Sequence, residues 1–411
     1  MGQSKDTDYD IIVAGGGMIG TSLGLALAPL GLRVAVVEAI ARGADQQPSF
    51  DDRSTALSRS SQRMFEAMAL WPDIVAASTP IRSIHVSDKG RFGFSHIDAE
   101  EQGVEALGYV VINRVLGQVL QTALAAVQDL DMICPGRITR VSPGDESATV
   151  TIEEEAGERA LSCRLLVAAD GANSSVRDMI GISATRTDYD QGAVIGNLLT
   201  EKKHEYRAYE RFTEQGPVAM LPIADDRTAF VWIRPPGRAQ EALKMSADEF
   251  AAEIQDAFGF RLGRFSKVGK RAAYPLALTK TNGLVSRRSV VVGNAAHGLH
   301  PVAAQGFNLG MRDVAALCDC IADARQNGRD IGSASVLEEY AEWRRPDHAK
   351  LVRFTDGIVH LFGDSRLPVR MLRNIGMLGF DLVPGVRRAF ARHTMGLAGR
   401  LPRLSRGVPL A

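Results

Sequence analysis

Cysteine is scarce in this chain: 411 residues hold four, Cys134, Cys163, Cys318 and Cys320. Only the last two are close, and C-x-C on a helical stretch is neither a zinc nor a redox spacing. Ordinary reduced thiols in a cytoplasmic protein, most of them buried, are expected. Net charge is also missing, since 48 basic residues face 48 acidic ones, which argues against a general nucleic-acid binder. No apolar run approaches a membrane span. The opening "MGQSKDTDYD" lacks the apolar stretch of a signal peptide. What is present, 45% hydrophobic residues and 40 glycines, is ordinary for a soluble α/β enzyme, and this length predicts two or three domains.

The first chemical signal is "DYDIIVAGGGMIGTSLGLALAPLGLRVAVVEA". It reads as a buried strand from Tyr9 to Ala14, then Gly15-x-Gly17-x-x-Gly20, a helix through Leu30 and a second strand ending at Glu38. The first glycine makes a tight turn, the second admits a pyrophosphate against the backbone, and Gly20 lets the helix pack on the strand. The helix N-terminus favours the anion. Glu38 stands where a carboxylate accepts hydrogen bonds from a ribose diol, which suits FAD or NAD rather than the 2′-phosphate of NADP.

Two further strand-to-glycine junctions follow. "RLLVAADGANSSVRDMIG" predicts a strand from Leu165 to Ala169, Asp170-Gly171, and a helix capped by Ser174 or Ser175, with Arg177 in its first turn. "RRSVVVGNAAHGLHPVAAQGFNLGMRDVAALCDCI" predicts a strand from Ser289 to Val292, a glycine-rich loop and another helix. A simple NAD dehydrogenase has no need of three such junctions so far apart.

This pattern resembles the flavoprotein aromatic hydroxylases, the single-component FAD monooxygenases. Within them, "FDDRSTALS" (Phe50 to Ser58), "YERFTEQGPVAMLPI", "HPVAAQGFNLGMRD" (His300 to Asp313) and the closing "MGLAGRLPRL" are similar to the ubiquinone-biosynthesis hydroxylases of the 2-polyprenyl-6-methoxyphenol hydroxylase group. The resemblance implies an α/β fold: a Rossmann-like FAD-binding domain interleaved with a β-sheet substrate domain, plus a C-terminal helical region. The corresponding bounds are residues 1–78 with 105–185 and 286–345 for the FAD-binding domain, 79–104 with 186–285 for the β-rich domain, and 346–411 for the helical region.

It also implies a monooxygenase that hydroxylates the ring of a polyprenylated phenol with O2 through a flavin C4a-hydroperoxide. NAD(P)H is the electron donor in the larger family and binds only transiently. Cofactor contacts carried over from the family are Gly15, Gly17, Gly20, Glu38, Asp170, Gly171, Gly293, Asn294, Ala304, Gly306, Phe307 and Asn308. His300, Pro301, Val302 and Gln305 fall in the catalytic, flavin-facing wall. Arg114 matches the arginine that clasps FAD, the alternative being a surface arginine at a helix end. Arg53 matches an arginine that reaches FAD, although Asp51 and Asp52 could equally pair with it in a surface loop. At two positions the chain departs from its relatives: Asn294 replaces the usual Asp, and Ala304 the usual Gly. If the backbone at 304 has a positive φ, Ala is strained there.

"IRSIHVSDKGRFGFSHI" reads as a hairpin turning at Asp88 to Arg91, and "GPVAMLPIADDRTAFVWI" as strand, Asp-Asp turn, strand. "INRVLGQVLQTALAAV" reads as a helix of the FAD domain. His297 and His300 stand three apart, but Pro301 interrupts any helix across them and no adjacent Cys or carboxylate completes a metal set. No metal site is expected. A hydrolytic triad is not expected either, since no serine sits at a nucleophile elbow.

Beyond Trp343 the chain reads as helical and basic, with a break at Pro384-Gly385. From Asp364 onward there are nine arginines, no lysine and two aspartates, with Met371, Leu372, Ile375, Met377, Leu378, Phe380 and Phe390 among them. Two readings stay open: a basic amphipathic surface lying on an anionic membrane, making the protein peripheral on the inner face of the cytoplasmic membrane, or a helical lid on the FAD domain with its arginines in solvent. Other ubiquinone-biosynthesis proteins are the macromolecular partners implied. The rival functions are a dehydrogenase or reductase of the same fold and a non-catalytic, flavin-stabilised scaffold.

Overall fold

The computed structural model describes residues 7–41, 53–363 and 366–411. Its first sheet runs, in spatial order, Val285–Ser286, Ser289–Val291, Gly157–Ala168, Tyr9–Ala14, Val34–Val37 and Leu130–Ile133. The last five of these pair in parallel, with Ile12 beside both Leu166 and Ala35. Parallel strands covered on both faces must be apolar throughout, and Ile11, Ile12, Val13, Val36, Leu165, Val167 and Val290 are accordingly buried. Against this sheet pack the helices Met18–Leu27, Asn113–Ala125 and Gln305–Gln326. An antiparallel arm, Arg137–Pro143 with Ala148–Glu154, extends from the long Gly157–Ala168 strand.

The second sheet has nine strands and is largely antiparallel. Its strands come from residues 83–98, from 184–281 and from the short His297–Gly298 strand. The hairpin Ser83–Asp88 with Phe94–Asp98 forms one side of it. The Asp-Asp turn joins Val218–Pro222 to Arg227–Arg234, with Asp225 and Asp226 both left-handed. The hairpin's first strand pairs in parallel with Arg207–Phe212, so Val86 lies directly beside Glu210. A three-stranded antiparallel sheet of Ser54–Ser58, Ser78–Ile81 and Gly108–Ile112 completes the β-structure of the described residues.

The strand reaching towards Glu38 ends one residue earlier, at Val37, and the third junction strand ends at Val291 rather than Val292. In both cases the chain leaves the ladder where a side chain or loop must face the site. The C-terminal part is helical over Ala334–Gly363, Leu367–Leu382 and Pro384–Thr394, broken at Pro384. Its arginines are not uniformly solvated. Arg387 pairs with Glu101, Arg403 with Asp319 at 2.8 Å, and Arg400 stacks over Trp343. Arg388 and Arg392 are exposed.

Candidate active site

The three glycine junctions converge on one cavity of about 530 Å³. Its walls include Gly15, Gly17, Glu38, Arg53, Asp170, Gly171, Asn294 and Phe307. Gly15 has φ +101°, and a Cβ there would stand 2.6 Å from the Ala169 carbonyl oxygen. A Cβ on Gly20 would lie 1.9 Å from the Gly15 carbonyl oxygen, so the helix can sit this close to the strand only without a side chain. The helix beginning at Met18 has no side-chain cap and no acidic residue in its first turn. Its free N–H groups therefore face the cavity with the positive end of the helix dipole, a ready site for a pyrophosphate.

Glu38 closes the other end. Its Oε2 accepts from the Gly16 N–H at 2.7 Å and its Oε1 from the Ile40 N–H at 2.8 Å. These bonds fix the carboxylate at the wall and leave lone pairs for a ribose diol. The dimensions and donor set fit a flavin dinucleotide. Asp170 is held by Ser174 and by the Val176 N–H at 3.2 Å. Ser174 is also the helix cap, accepting from the Arg177 N–H. Arg177 binds the Ala172 carbonyl at 3.1 Å and the Ala295 carbonyl at 3.3 Å, tying the second junction to the third. Asp51 and Asp52 lie outside the described residues. Arg53 lines the cavity and also stacks over Tyr274 at 4.8 Å. Arg114 lines a smaller adjoining cavity of about 260 Å³, which shares Ser54 with the main one.

The loop of the third junction is held from behind by a buried ionic cluster. Asp313 accepts from the Gly293 N–H at 3.2 Å, and its oxygens lie 3.1 Å from His297 Nε2, 2.8 Å from Arg344 Nε and 2.7 Å from His348 Nε2. Three metal-type ligands, His297, Asp313 and His348, thus meet within 4.8 Å, whereas His300 points elsewhere. The carboxylate that was absent beside His297 in sequence arrives from the following helix. The guanidinium of Arg344 already supplies positive charge there, and with the hydrogen-bonding His297 and His348 it holds the Asp313 carboxyl well below its usual range despite burial.

His300 is buried. Its Nδ1 accepts from the Val302 N–H at 3.2 Å, which places the ring proton on Nε2, 3.1 Å from Gln191 Oε1. Burial pushes its pKa down to about 4, so the ring is neutral. It supports the loop from behind Val302 and contributes to neither large cavity wall. Ala304 has φ 49° and ψ 40°, the left-handed conformation that costs a non-glycine residue strain. Asn308 fastens this turn. Its Nδ2 donates to the Ala304 and Ala56 carbonyls, and its Oδ1 accepts from the Ser58 N–H and Ser61 Oγ, all at 2.8–2.9 Å.

On the far side of that loop lies a second cavity of about 560 Å³. Its walls are mainly apolar: Leu57, Ile84, Val86, Phe212, Val302, Ala304 and Phe354, with Met377, Phe380 and Phe390 from the C-terminal helices and Met395 just after them. The segment Ser54–Ser58 and the segment 302–308 each line both cavities. Glu210 projects into the apolar one. Sequence reading passed it over, although a signal was there. Strand alternation puts Ala208, Glu210 and Phe212 on one face, so an acid sits between two apolar residues.

A family model described as "FAD binding domain" matches residues 8–355. The chain is 36% identical to the ubiquinone hydroxylase UbiL of Rhodospirillum rubrum, over 99% of this chain and 95% of that protein. It is 32% identical to the 3-demethoxyubiquinol 3-hydroxylase of Escherichia coli, over 94% of this chain and 98% of the relative. Among solved structures, p-nitrophenol 4-monooxygenase PnpA from Pseudomonas putida shares the fold with a TM-score of 0.79 at 19% identity, covering 95% of this chain and 98% of that one.

Proposed function

The chain belongs to the FAD-binding-domain family, and from that premise we propose how this FAD-dependent monooxygenase works on a polyprenylated phenol of ubiquinone biosynthesis. The observation that carries the reading is the pair of cavities back to back. A polar, glycine-walled one suits a dinucleotide, an apolar one suits a prenylated ring, and the strand Ser54–Ser58 and the segment 302–308 line both.

When bound, FAD supplies the activation of O2 and the two electrons that the hydroxylation needs. The chain supplies binding, orientation and exclusion of water. The N-terminal N–H groups of the Met18–Leu27 helix hold the pyrophosphate, Glu38 the ribose, and Asp170, Asn294 and Phe307 the remainder of the cofactor. Val302, Ala304 and Gln305 present the loop to the substrate, with His300 and Asn308 positioning it from behind. The apolar walls bury the ring and prenyl chain and keep water from the oxygen-transfer step.

No described helix is long and apolar enough to cross a membrane. The C-terminal helices turn Met377, Phe380 and Phe390 into the cavity while exposing Met371, Ile375, Leu382, Val383 and Val386. Lid and membrane contact are therefore compatible: one face covers the substrate while the other rests on an anionic bilayer from which a prenylated substrate enters. Aerobic turnover of a short-chain prenylphenol by reduced holoenzyme tests the function. Oxygen uptake with a product one oxygen atom heavier is expected; reduction of an acceptor without oxygen incorporation would overturn it in favour of a dehydrogenase.

A further inference from the structure

Glu210 is the only ionisable residue among the described walls of the apolar cavity. Its strand position fixes it there: Val86 and Ala219 are its cross-strand neighbours, and Ser95 follows beyond Val86 on the same face. Among the described residues no hydrogen bond or ion pair reaches its carboxylate. The other polar groups of the cavity are mostly engaged. Asn308 is committed to four protein partners, Gln305 donates to the Thr394 carbonyl at 3.3 Å, and Ser58 is paired with Ser61. Ser95 Oγ is the exception, buried without a partner. An unpaired acid facing an otherwise apolar chamber is costly unless water or a ligand satisfies it.

We infer that Glu210 is a catalytic residue that binds the substrate's phenol hydroxyl and accepts its proton as the ring is oxygenated. This rests on the proposed hydroxylase function. The O–H bond breaks, the proton joins a Glu210 oxygen, and the electron pair stays on the phenol oxygen. From there it enriches the ring carbon that forms the new C–O bond. As the ring regains aromaticity, Glu210 returns its proton to the phenol oxygen. The hydrogen displaced from the carbon leaves as a proton and ends in the water formed from the second atom of O2. The geometry thus orients the ring by its hydroxyl and leaves the apolar walls to the prenyl chain.

Burial alone, with no cation nearby, pushes the Glu210 pKa up to about 7, close to neutrality as proton exchange requires. The surrounding elements carry other titratable groups: Asp88 farther along the same face, His85 and His96 on the opposite face, His300 behind Val302, Asp356 on the Ala334–Gly363 helix, and Asp381, Arg387 and His393 on the two helices that follow. Burial lowers His85 to about 3, His300 to about 4, and His393 below its usual value, which separates their titration from that of Glu210.

The test is a titration of oxidised holoenzyme with a short-chain prenylphenol and its methyl ether at pH 6 and 8, for wild type, Glu210→Gln and Glu210→Asp. Wild type is expected to prefer the phenol about tenfold at pH 8, because an ionised carboxylate makes the stronger hydrogen bond. The preference should shrink at pH 6, vanish in Glu210→Gln and return in part in Glu210→Asp. In turnover, Glu210→Gln should lower kcat about 100-fold and raise KM by no more than the roughly tenfold that the binding titration reads. A Glu210→Gln protein that retains FAD and keeps the phenol preference with its pH dependence would overturn the inference. Should wild type fail to hydroxylate any phenol, the proposed function falls, while the binding titration still decides the role of Glu210.

Discussion

Arg344 Nε lies 2.8 Å from Asp313 Oδ1, a contact between two side chains that solvent barely reaches. It joins the helix Ala334–Gly363 to the helix Gln305–Gln326, and through the Gly293 N–H it reaches the cofactor loop. Asp313→Asn removes the charge that Arg344, His297 and His348 share. Breaking one partner of a buried ionic cluster costs about 3–5 kcal/mol. The expected outcome is a lower urea midpoint for apoprotein together with weaker FAD retention, since the Gly293 loop loses its latch. An unchanged midpoint would contradict the network's role.

Little of that cluster is visible in the sequence, and the reason is physical. Gly15, Gly17 and Gly20 can be read because the turn, the close approach and the helix packing are local backbone demands. The union of His297 with Asp313 and His348 depends on the crossing of two helices, as the reach of Arg177 to the Ala295 carbonyl depends on two junctions meeting in space. Glu210 lies between these cases. Strand alternation marks it as an acid on an apolar face, but which face meets a cavity is decided only when the sheet meets the loop at 302–308 and the C-terminal helices.

Glu38 should be indispensable for the cofactor. Its carboxylate is held by two backbone N–H groups beside the cavity. Glu38→Arg replaces the ribose acceptor by a cation and fills the space with a longer chain. FAD affinity is expected to fall by at least tenfold, about 1.4 kcal/mol, read as FAD released on dilution and gel filtration. Unchanged affinity would refute the ribose role.

Ala304 adopts φ 49° where glycine would be relaxed. The left-handed conformation costs an L-residue about 1–2 kcal/mol. Glycine gives back about 0.4–1 kcal/mol through the larger entropy of the unfolded chain. Ala304→Gly should therefore stabilise the protein by about 0.5–1 kcal/mol in denaturant titration, with the Asn308 bonds to the Ala304 and Ala56 carbonyls preserved. Destabilisation would mean that Asn308 and its partners, rather than residue 304, define this turn.

His300 supplies a pH-dependent share of stability. Burial lowers its folded pKa to about 4, whereas the unfolded imidazole titrates near 6.5. A group depressed on folding contributes stability above its unfolded pKa and loses it as pH falls. The window is therefore from about pH 6.5 to 4, and the loss reaches about 2 kcal/mol by pH 5. Glu210, shifted upward, acts in the opposite sense in the same range. The informative quantity is accordingly the stability gap between wild type and His300→Gln, which should move by about 2 kcal/mol in favour of the variant between pH 7.5 and 5. A constant gap would mean that the ring takes up its proton while folded.

The C-terminal helices test whether lid and membrane contact reside on one element. Leu382 is 72% exposed and Ile375 57% exposed, seven residues apart on one face of their helix, while Met377 and Phe380 on its other face line the apolar cavity. Leu382→Ser with Ile375→Ser removes apolar surface from the outer face and leaves the inner face intact. Binding to vesicles rich in anionic lipid should weaken about tenfold or more, as the loss of two partly inserted aliphatic side chains predicts. Turnover of a short-chain, water-soluble phenol should remain near wild type, because that substrate needs no bilayer. Equal loss of vesicle binding and soluble turnover would instead place these residues in the lid alone. Arg388 and Arg392, exposed on the helix that follows, add a second handle: charge reversal there should weaken vesicle binding in low salt and matter less as salt screens the surface.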